Sequence, residues 1–288
     1  MIIIDHPNIL SQILKKLHQK NRCIALVPTM GNLHAGHMSL VKSAKAQADI
    51  VIVSIFINPM QFNCKNDLES YPRTLQEDYE KLLSHNIDIV FSPIENKVMY
   101  PKGLETQSFI EVPNITSILE GKSRPGHFRG VATIISKLFN LIKPNIVFFG
   151  EKDFQQLFLI RQLVQDLNYD IQVIGIPTVR ANDGLALSSR NRFLSQSQRN
   201  KAPILYKVML YLAKRIKKGE MRYDLLLKEA ALQLNEQGLI PDSLEICDAD
   251  TLTLPTSTTQ RLVILFSVWI EKTRLIDNIQ VNLYHYHS

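Results

Sequence analysis

Apolar residues in this chain fall into short dense runs separated by stretches of helical period. Residues 23–28 are mostly apolar, end at Pro28 and predict a buried strand. After a loop centred on Gly31, residues 36–48 carry Met38, Val41, Ala44 and Ala48 at helical spacing. Residues 50–57, rich in Val and Ile and closed by Pro59, predict a second strand and complete one β-α-β unit. A second unit begins where Val131, Ile134, Ile135, Leu138, Phe139 and Ile142 share one face of a helix that Pro144 terminates. Residues 146–149 then read as a strand, 154–167 as a helix and 171–176 as the next strand. This alternation predicts a parallel sheet covered by helices on both faces.

Beyond Pro177 the texture changes. Helical periodicity runs through residues 198–218 and 223–234, followed by β-like runs at 244–247, 262–269 and 279–284. The chain is therefore expected to divide into a domain of residues 1–177 and a smaller α+β domain of residues 178–288, in keeping with about two domains for this length.

Composition narrows the partners. With 45% hydrophobic and 21% charged residues the chain can offset its ordering entropy by burial. Its longest apolar stretches, residues 50–57 and 262–270, have fewer than half of the roughly 20 residues a bilayer span needs. Met1 to Asp5 run straight into His6 and Pro7 without the regions of a signal peptide, so no membrane partner is expected. The formal charge of +6 suits polyanions. The densest basic stretch, Lys214, Arg215, Lys217 and Lys218, interleaves with Tyr211, Leu212 and Ile216 and reads as a solvated helix face, not a nucleic-acid stripe. Cys23, Cys64 and Cys247 form no Cys-x-x-Cys pair, which fits a reducing, cytoplasmic setting.

Ligands of parallel sheets gather beyond the carboxyl ends of the strands, and four polar clusters follow the strands here. The first runs from Pro28 to His37 and contains His34-Ala35-Gly36-His37, entering a helix. Unpaired N–H groups and the dipole at such a helix start favour phosphate. The imidazoles of His34 and His37 can donate to it, and Gly36 leaves room for a flat adenine. A capping or surface role is the competing reading of the histidines; a metal pair lacks an acidic third ligand. The second cluster, Asn58 to Phe62, offers Gln61, whose amide suits a substrate with hydroxyl and carboxylate groups. The third, from Gly150 to Gln156, has Asp153 and Gln156 at a loose capping-box spacing and Lys152 placed to neutralise phosphate charge. In the fourth, Ser188, Ser189 and Arg190 follow Gly184 in a loop suited to gripping a triphosphate, with a solvated turn as the alternative. Neither serine lies in a Gly-x-Ser-x-Gly elbow.

Taken together these clusters resemble the pantothenate synthetase (pantoate–β-alanine ligase) family. The likeness spans nearly the whole chain and includes Tyr71-Pro72-Arg73-Thr74, Arg124-Pro125-Gly126-His127-Phe128, Pro177 through Asn191 and Arg274-Leu275-Ile276-Asp277-Asn278. His-x-Gly-His alone points only to the wider nucleotidyltransferase superfamily. The resemblance implies a Rossmann-like ATP- and pantoate-binding domain followed by a smaller C-terminal lid domain. The implied reaction is ATP-dependent joining of pantoate and β-alanine into pantothenate, a coenzyme A precursor, with AMP and pyrophosphate released through a pantoyl adenylate. By position, Met30, Gly36, Gly150, Asp153, Val179, Leu187, Ser188 and Ser189 would bind ATP; Leu187 stands where some members carry Met. His37, His34, Lys152 and Arg190 would act in catalysis, with His37 assigned to acid catalysis. Gln61 and Gln156 would hold pantoate, and Arg124 would orient a carboxylate. Mg²⁺ would accompany the triphosphate, held mostly by substrate oxygens and water, and a homodimer is implied by analogy. The alternatives are a nucleotidyltransferase acting on a phosphorylated small molecule and, last, an RNA-binding module.

Overall fold

The structure is a computed structural model, in which residues 1–283 are described. The chain divides into two compact units, Met1–Pro177 and Thr178–Ser288.

The first unit is built on six strands: β1 (Ile2–Ile4), β2 (Ile24–Thr29), β3 (Ile50–Ile55), β4 (Ile89–Phe91), β5 (Ile146–Gly150) and β6 (Gln172–Ile176). All neighbours pair in parallel, in the order β1-β4-β3-β2-β5-β6. Successive side chains of a strand face opposite sides, and in β2 both sides are buried. Ile24 and Leu26 join one apolar cluster, and Ala25 and Val27 join another. That is why β2, β3 and β5 read as near-continuous apolar runs. Helices Pro7–Gln19, His127–Ile142 and Phe154–Asp166 contribute to the first cluster, and Ala35–Lys45 and Leu75–Ser84 to the second. The helix ahead of β5 ends one residue before Lys143, which lies in the left-handed region at φ 50° and directly precedes Pro144.

The second unit pairs β7 (Ile240–Asp248), β8 (Arg261–Ile270) and β9 (Thr273–Asn282) as an antiparallel sheet. Helices Ile204–Lys217 and Tyr223–Glu236 pack their apolar faces with it around Leu212, Leu226, Leu234, Leu262 and Ile264.

Several boundaries differ from the sequence expectation. The helical period over residues 198–218 is two helices, Gln196–Lys201 and Ile204–Lys217, with Pro203 at the junction, where its missing N–H starts a new helix at no cost. The run at 244–247 falls in the second half of the nine-residue β7, whose first half is partly exposed. The run at 279–284 is the end of β9, and Tyr284 lies outside the described residues. Strands β1 and β4, three residues each, and the helix Pro7–Gln19 were not anticipated. Among the described residues no helix is long and apolar enough to cross a membrane.

Leu26 is fully buried at the centre of the parallel sheet. Leu26→Ala is expected to cost about 2–5 kcal/mol, read as a lower urea midpoint for the first unit.

Candidate active site

The turn leaving β2 is pinned by a carboxylate from elsewhere in the chain. Buried Asp78 accepts from the backbone N–H of Asn32 at 2.8 Å, of Leu33 at 2.7 Å and from the Thr74 hydroxyl at 3.2 Å. Asn32 sits at φ +51°, a region open to Asn at low cost. Lys81 Nζ donates to Leu33 O at 2.9 Å. The chain then enters the helix Ala35–Lys45 with His34 at its N-cap.

Both histidines cap this helix. His34 Nδ1 accepts from Gly36 N at 3.1 Å, and His37 Nδ1 accepts from His34 N at 3.3 Å, with the two rings 4.1 Å apart. A backbone N–H can only donate, so both Nδ1 atoms are acceptors and each neutral ring carries its proton on Nε2. The capping reading is therefore correct, but it does not compete with the phosphate reading: the cap uses Nδ1 and leaves Nε2–H as a donor. Burial, and then the charge of the neighbouring Lys152, lowers His34 to about 4. Burial lowers His37 to about 3, helped by His34, Lys152 and Lys81. Gly36 has a tighter reason than room for adenine: a Cβ there would lie 2.8 Å from His34 Cε1.

Beyond β3, Gln61 is buried and oriented. Asn58 Nδ2 donates to Gln61 Oε1 at 3.1 Å and to Gly130 O at 3.0 Å, while Tyr100 donates its hydroxyl to Asn58 Oδ1 at 2.7 Å. Gln61 Nε2 is thereby turned to Met30 Sδ, 3.1 Å away. An amide has two N–H donors and two acceptor lone pairs, so these contacts leave half its capacity for a ligand. At Gly130 a Cβ would sit 2.5 Å from the Met60 carbonyl, so this helix approaches the Gln61 turn as closely as backbone allows. His127 donates from Nδ1 to Gln61 O at 2.8 Å and accepts at Nε2 from Arg124 Nη1 at 3.2 Å. Arg124 also donates to Glu120 Oε1 at 2.9 Å, so the carboxylate it holds here is the protein's own. Burial, then the charge of Arg124, lowers His127 to about 4.

At the end of β5, Gly150 is half-buried and Lys152 Nζ lies 3.9 Å from Asp153 Oδ1. Asp153 stands at the N-cap of Phe154–Asp166 but makes no side-chain cap bond. The loose capping box is not formed, because the carboxylate turns toward Lys152 and solvent. Gln156 is half-buried in the first turn, whereas buried Gln155 ties down residues 115–120 through Ile115 O, Ile118 O and Glu120 N.

In the second unit, Leu187 N donates to Val179 O at 3.0 Å. Ser188 caps the short 3₁₀ helix Ser189–Phe193, its hydroxyl accepting from Arg190 N at 3.3 Å.

Sequence reasoning missed Asp78, Tyr100, Glu120, Gln155 and the roles of Asn58 and His127. Asn58 stood within a recognised cluster, and Arg124 and His127 within a quoted motif; for Asp78 and Tyr100 the sequence carried no local signal.

Because folded His127 protonates near 4 and an ordinary histidine near 6.5, the unfolded chain gains the proton first on acidification. The His127 contribution to stability is thus fully present above pH 6.5 and is lost as pH drops towards 4. Urea titrations of His127→Asn between pH 7 and 4 should show a shallower fall than the parent, by up to about 1.4 kcal/mol per pH unit.

The family described as Pantoate-beta-alanine ligase matches residues 2–280. Among solved structures, the pantoate-beta-alanine ligase (pantothenate synthetase) of Thermus thermophilus is 37% identical, with 97% of this chain and 99% of that chain covered and a TM-score of 0.90. The pantoate-beta-alanine ligase from Francisella tularensis, complexed with beta-gamma ATP and beta-alanine, is 39% identical, with 97% of each chain covered and a TM-score of 0.82. A match over nearly the whole length, on this fold, places the chain in the pantoate–β-alanine ligase family.

Proposed function

We propose that the chain joins pantoate to β-alanine in two steps at the expense of ATP. A carboxylate oxygen of pantoate attacks the α-phosphorus, the bond to the bridging oxygen breaks, and pyrophosphate leaves with its electron pair. The β-alanine amine then attacks the acyl carbon of pantoyl adenylate, AMP departs, and the nitrogen gives up a proton. The observation that carries this reading is the pair of neutral imidazoles capping a helix start, each with Nε2–H to give, beside Lys152.

His34 and His37 donate Nε2–H to phosphate oxygens, and Lys152 supplies fixed positive charge as pyrophosphate forms. His37 serves as a hydrogen-bond donor, a role its neutral ring fills without being an imidazolium. Met30, Gly36, Gly150 and Asp153 line the nucleotide, as do Val179, Leu187, Ser188, Ser189 and Arg190. Gln61 and Gln156 hold pantoate, and Arg124 secures the Gln61 turn through His127. The two units, Met1–Pro177 and Thr178–Ser288, correspond to the ATP- and pantoate-binding domain and the smaller lid domain that the resemblance implies.

Among the described residues no group of three or more His, Cys, Asp or Glu is placed to hold a metal ion. Asp153 is the carboxylate beside Lys152. The donor set fits Mg²⁺ held by triphosphate oxygens and water; when bound, it would offset phosphate charge. The enzyme works in the cytoplasm, which three scattered cysteines support, and as a homodimer, which rests on the family resemblance.

ATP–pyrophosphate exchange is expected to require pantoate and to proceed without β-alanine. Exchange that needs β-alanine would exclude the adenylate route, and an AMP- or CMP-containing phosphoanhydride as product would favour a nucleotidyltransferase instead. Glutamine places an amide donor near the Nε2 position of histidine, asparagine near Nδ1. His37→Asn should lower exchange by roughly 10²–10³, and His37→Gln by clearly less; equal losses would remove Nε2–H from the mechanism.

A further inference from the structure

Arg180 has a full set of partners inside the second unit, yet none of the roles above belongs to it. Its Nη1 and Nη2 donate to Asp277 Oδ2 and Oδ1 at 2.5 and 2.8 Å, a bidentate pair with the Asp277 side chain 2% exposed. Nη1 also donates to Gly184 O at 3.1 Å, and the guanidinium lies 3.6 Å from the centre of the Tyr206 ring. One planar group therefore ties strand β9, the helix Ile204–Lys217 and the loop after β6 together.

That loop is a small hairpin. Arg180 pairs with Ala186, Ala181 N donates to Leu185 O and Gly184 N to Ala181 O, each at 2.9 Å, and Leu187 N closes the open end onto Val179 O. Residue 188 follows directly, and Asn191 Nδ2 donates back to Ala186 O at 3.0 Å. The backbone that carries Ser188, Ser189 and Arg190 is thus set by the hairpin, and the hairpin is set by Arg180. Buried ion pairs seldom stabilise more than apolar side chains of the same volume. What a fork with several acceptors and an aromatic platform supplies, and an apolar pair does not, is a fixed direction.

We propose that Arg180, held by Asp277, is a positioning residue that aligns Ser188, Ser189 and Arg190 on the nucleotide phosphates. The inference rests on the reading that those three residues bind ATP.

The test is pantoate-dependent ATP–pyrophosphate exchange by the full-length enzyme, with KM for ATP and for pantoate and the thermal midpoint measured for each variant. Asp277→Asn and Arg180→Lys should lower kcat/KM for ATP by about 10- to 100-fold, with the pantoate KM unchanged. The double variant Arg180→Met/Asp277→Leu should unfold near the parent temperature and still show the ATP defect, a separation that a merely structural role does not produce. Arg180→Lys should outperform Arg180→Met. If Asp277→Asn fails to fold, Arg180→Lys carries the same expectation. ATP and pantoate parameters that fall together in step with the thermal midpoint, or a parental ATP KM in the double variant, would overturn the proposal. Arg190→Ala separates the two failures. If it leaves ATP kinetics intact, the nucleotide reading of the loop falls and the inference with it. If it is impaired while the Arg180 and Asp277 variants behave as the parent, the positioning role alone is wrong.

Discussion

Six strands running in one direction place every carboxyl strand end on the same edge of the first unit's sheet, and the site there depends on this constraint. The chain steps from β2 to β3 on one side and from β5 to β6 on the other, so the strand order reverses between β2 and β5. Crevices form at such reversals. The His34–His37 turn leaves β2, the Gln61 turn leaves β3 and Lys152 follows β5. Neighbouring strands lie about 4.8 Å apart, so three segments distant in sequence begin within roughly 10 Å of one another before any side chain is chosen. Because β2 is buried on both faces, a slip of one residue would exchange its two apolar clusters, and the register of the site is fixed by the core beneath it.

Strand ends set where the turns begin; buried polar side chains set where they point. Asp78 takes up two backbone N–H groups of residues 32 and 33 that would otherwise be orphaned in a tight turn. Asn58, fixed by Tyr100, decides which end of the Gln61 amide faces Met30. The row Glu120, Arg124, His127 reaches the Gln61 carbonyl from the other side. Each arrangement replaces loop mobility with hydrogen bonds that only one backbone path satisfies, and a site that works by alignment needs this order.

These two levels differ in how far the sequence reveals them. Strands β2, β3 and β5 were legible because burial on both faces leaves a continuous apolar run, and the residues after them were legible because chemistry-bearing types are rare directly behind such runs. Strands β1 and β4, with three residues each, are too short to show a period. Asp78 and Tyr100 act across 45 and 42 positions of sequence on Leu33 and Asn58, a distance no local pattern spans. Asp153 misled for the opposite reason. Its spacing to Gln156 satisfied a local rule, but a lysine next to it offered the carboxylate a charged partner, and the cap was left unmade. His34 and His37 could be read either as caps or as phosphate ligands, and only the ring geometry shows that the cap takes Nδ1 and leaves Nε2–H to donate.

The charge state follows from the same geometry. Protonating either imidazole would place a second cation in a partly buried site beside Lys152, and both burial and that lysine oppose it. The rings therefore stay neutral across the physiological range, well above their values of about 4 and about 3. A neutral N–H stabilises charge as it develops on a phosphate oxygen, yet holds the departing pyrophosphate less tightly than an imidazolium would. In the proposed reaction, one lysine charge with two neutral donors would favour the transition state over the product. It would also keep the imidazole contribution to the field at the proposed phosphate site independent of pH near neutrality, because neither ring changes its protonation there.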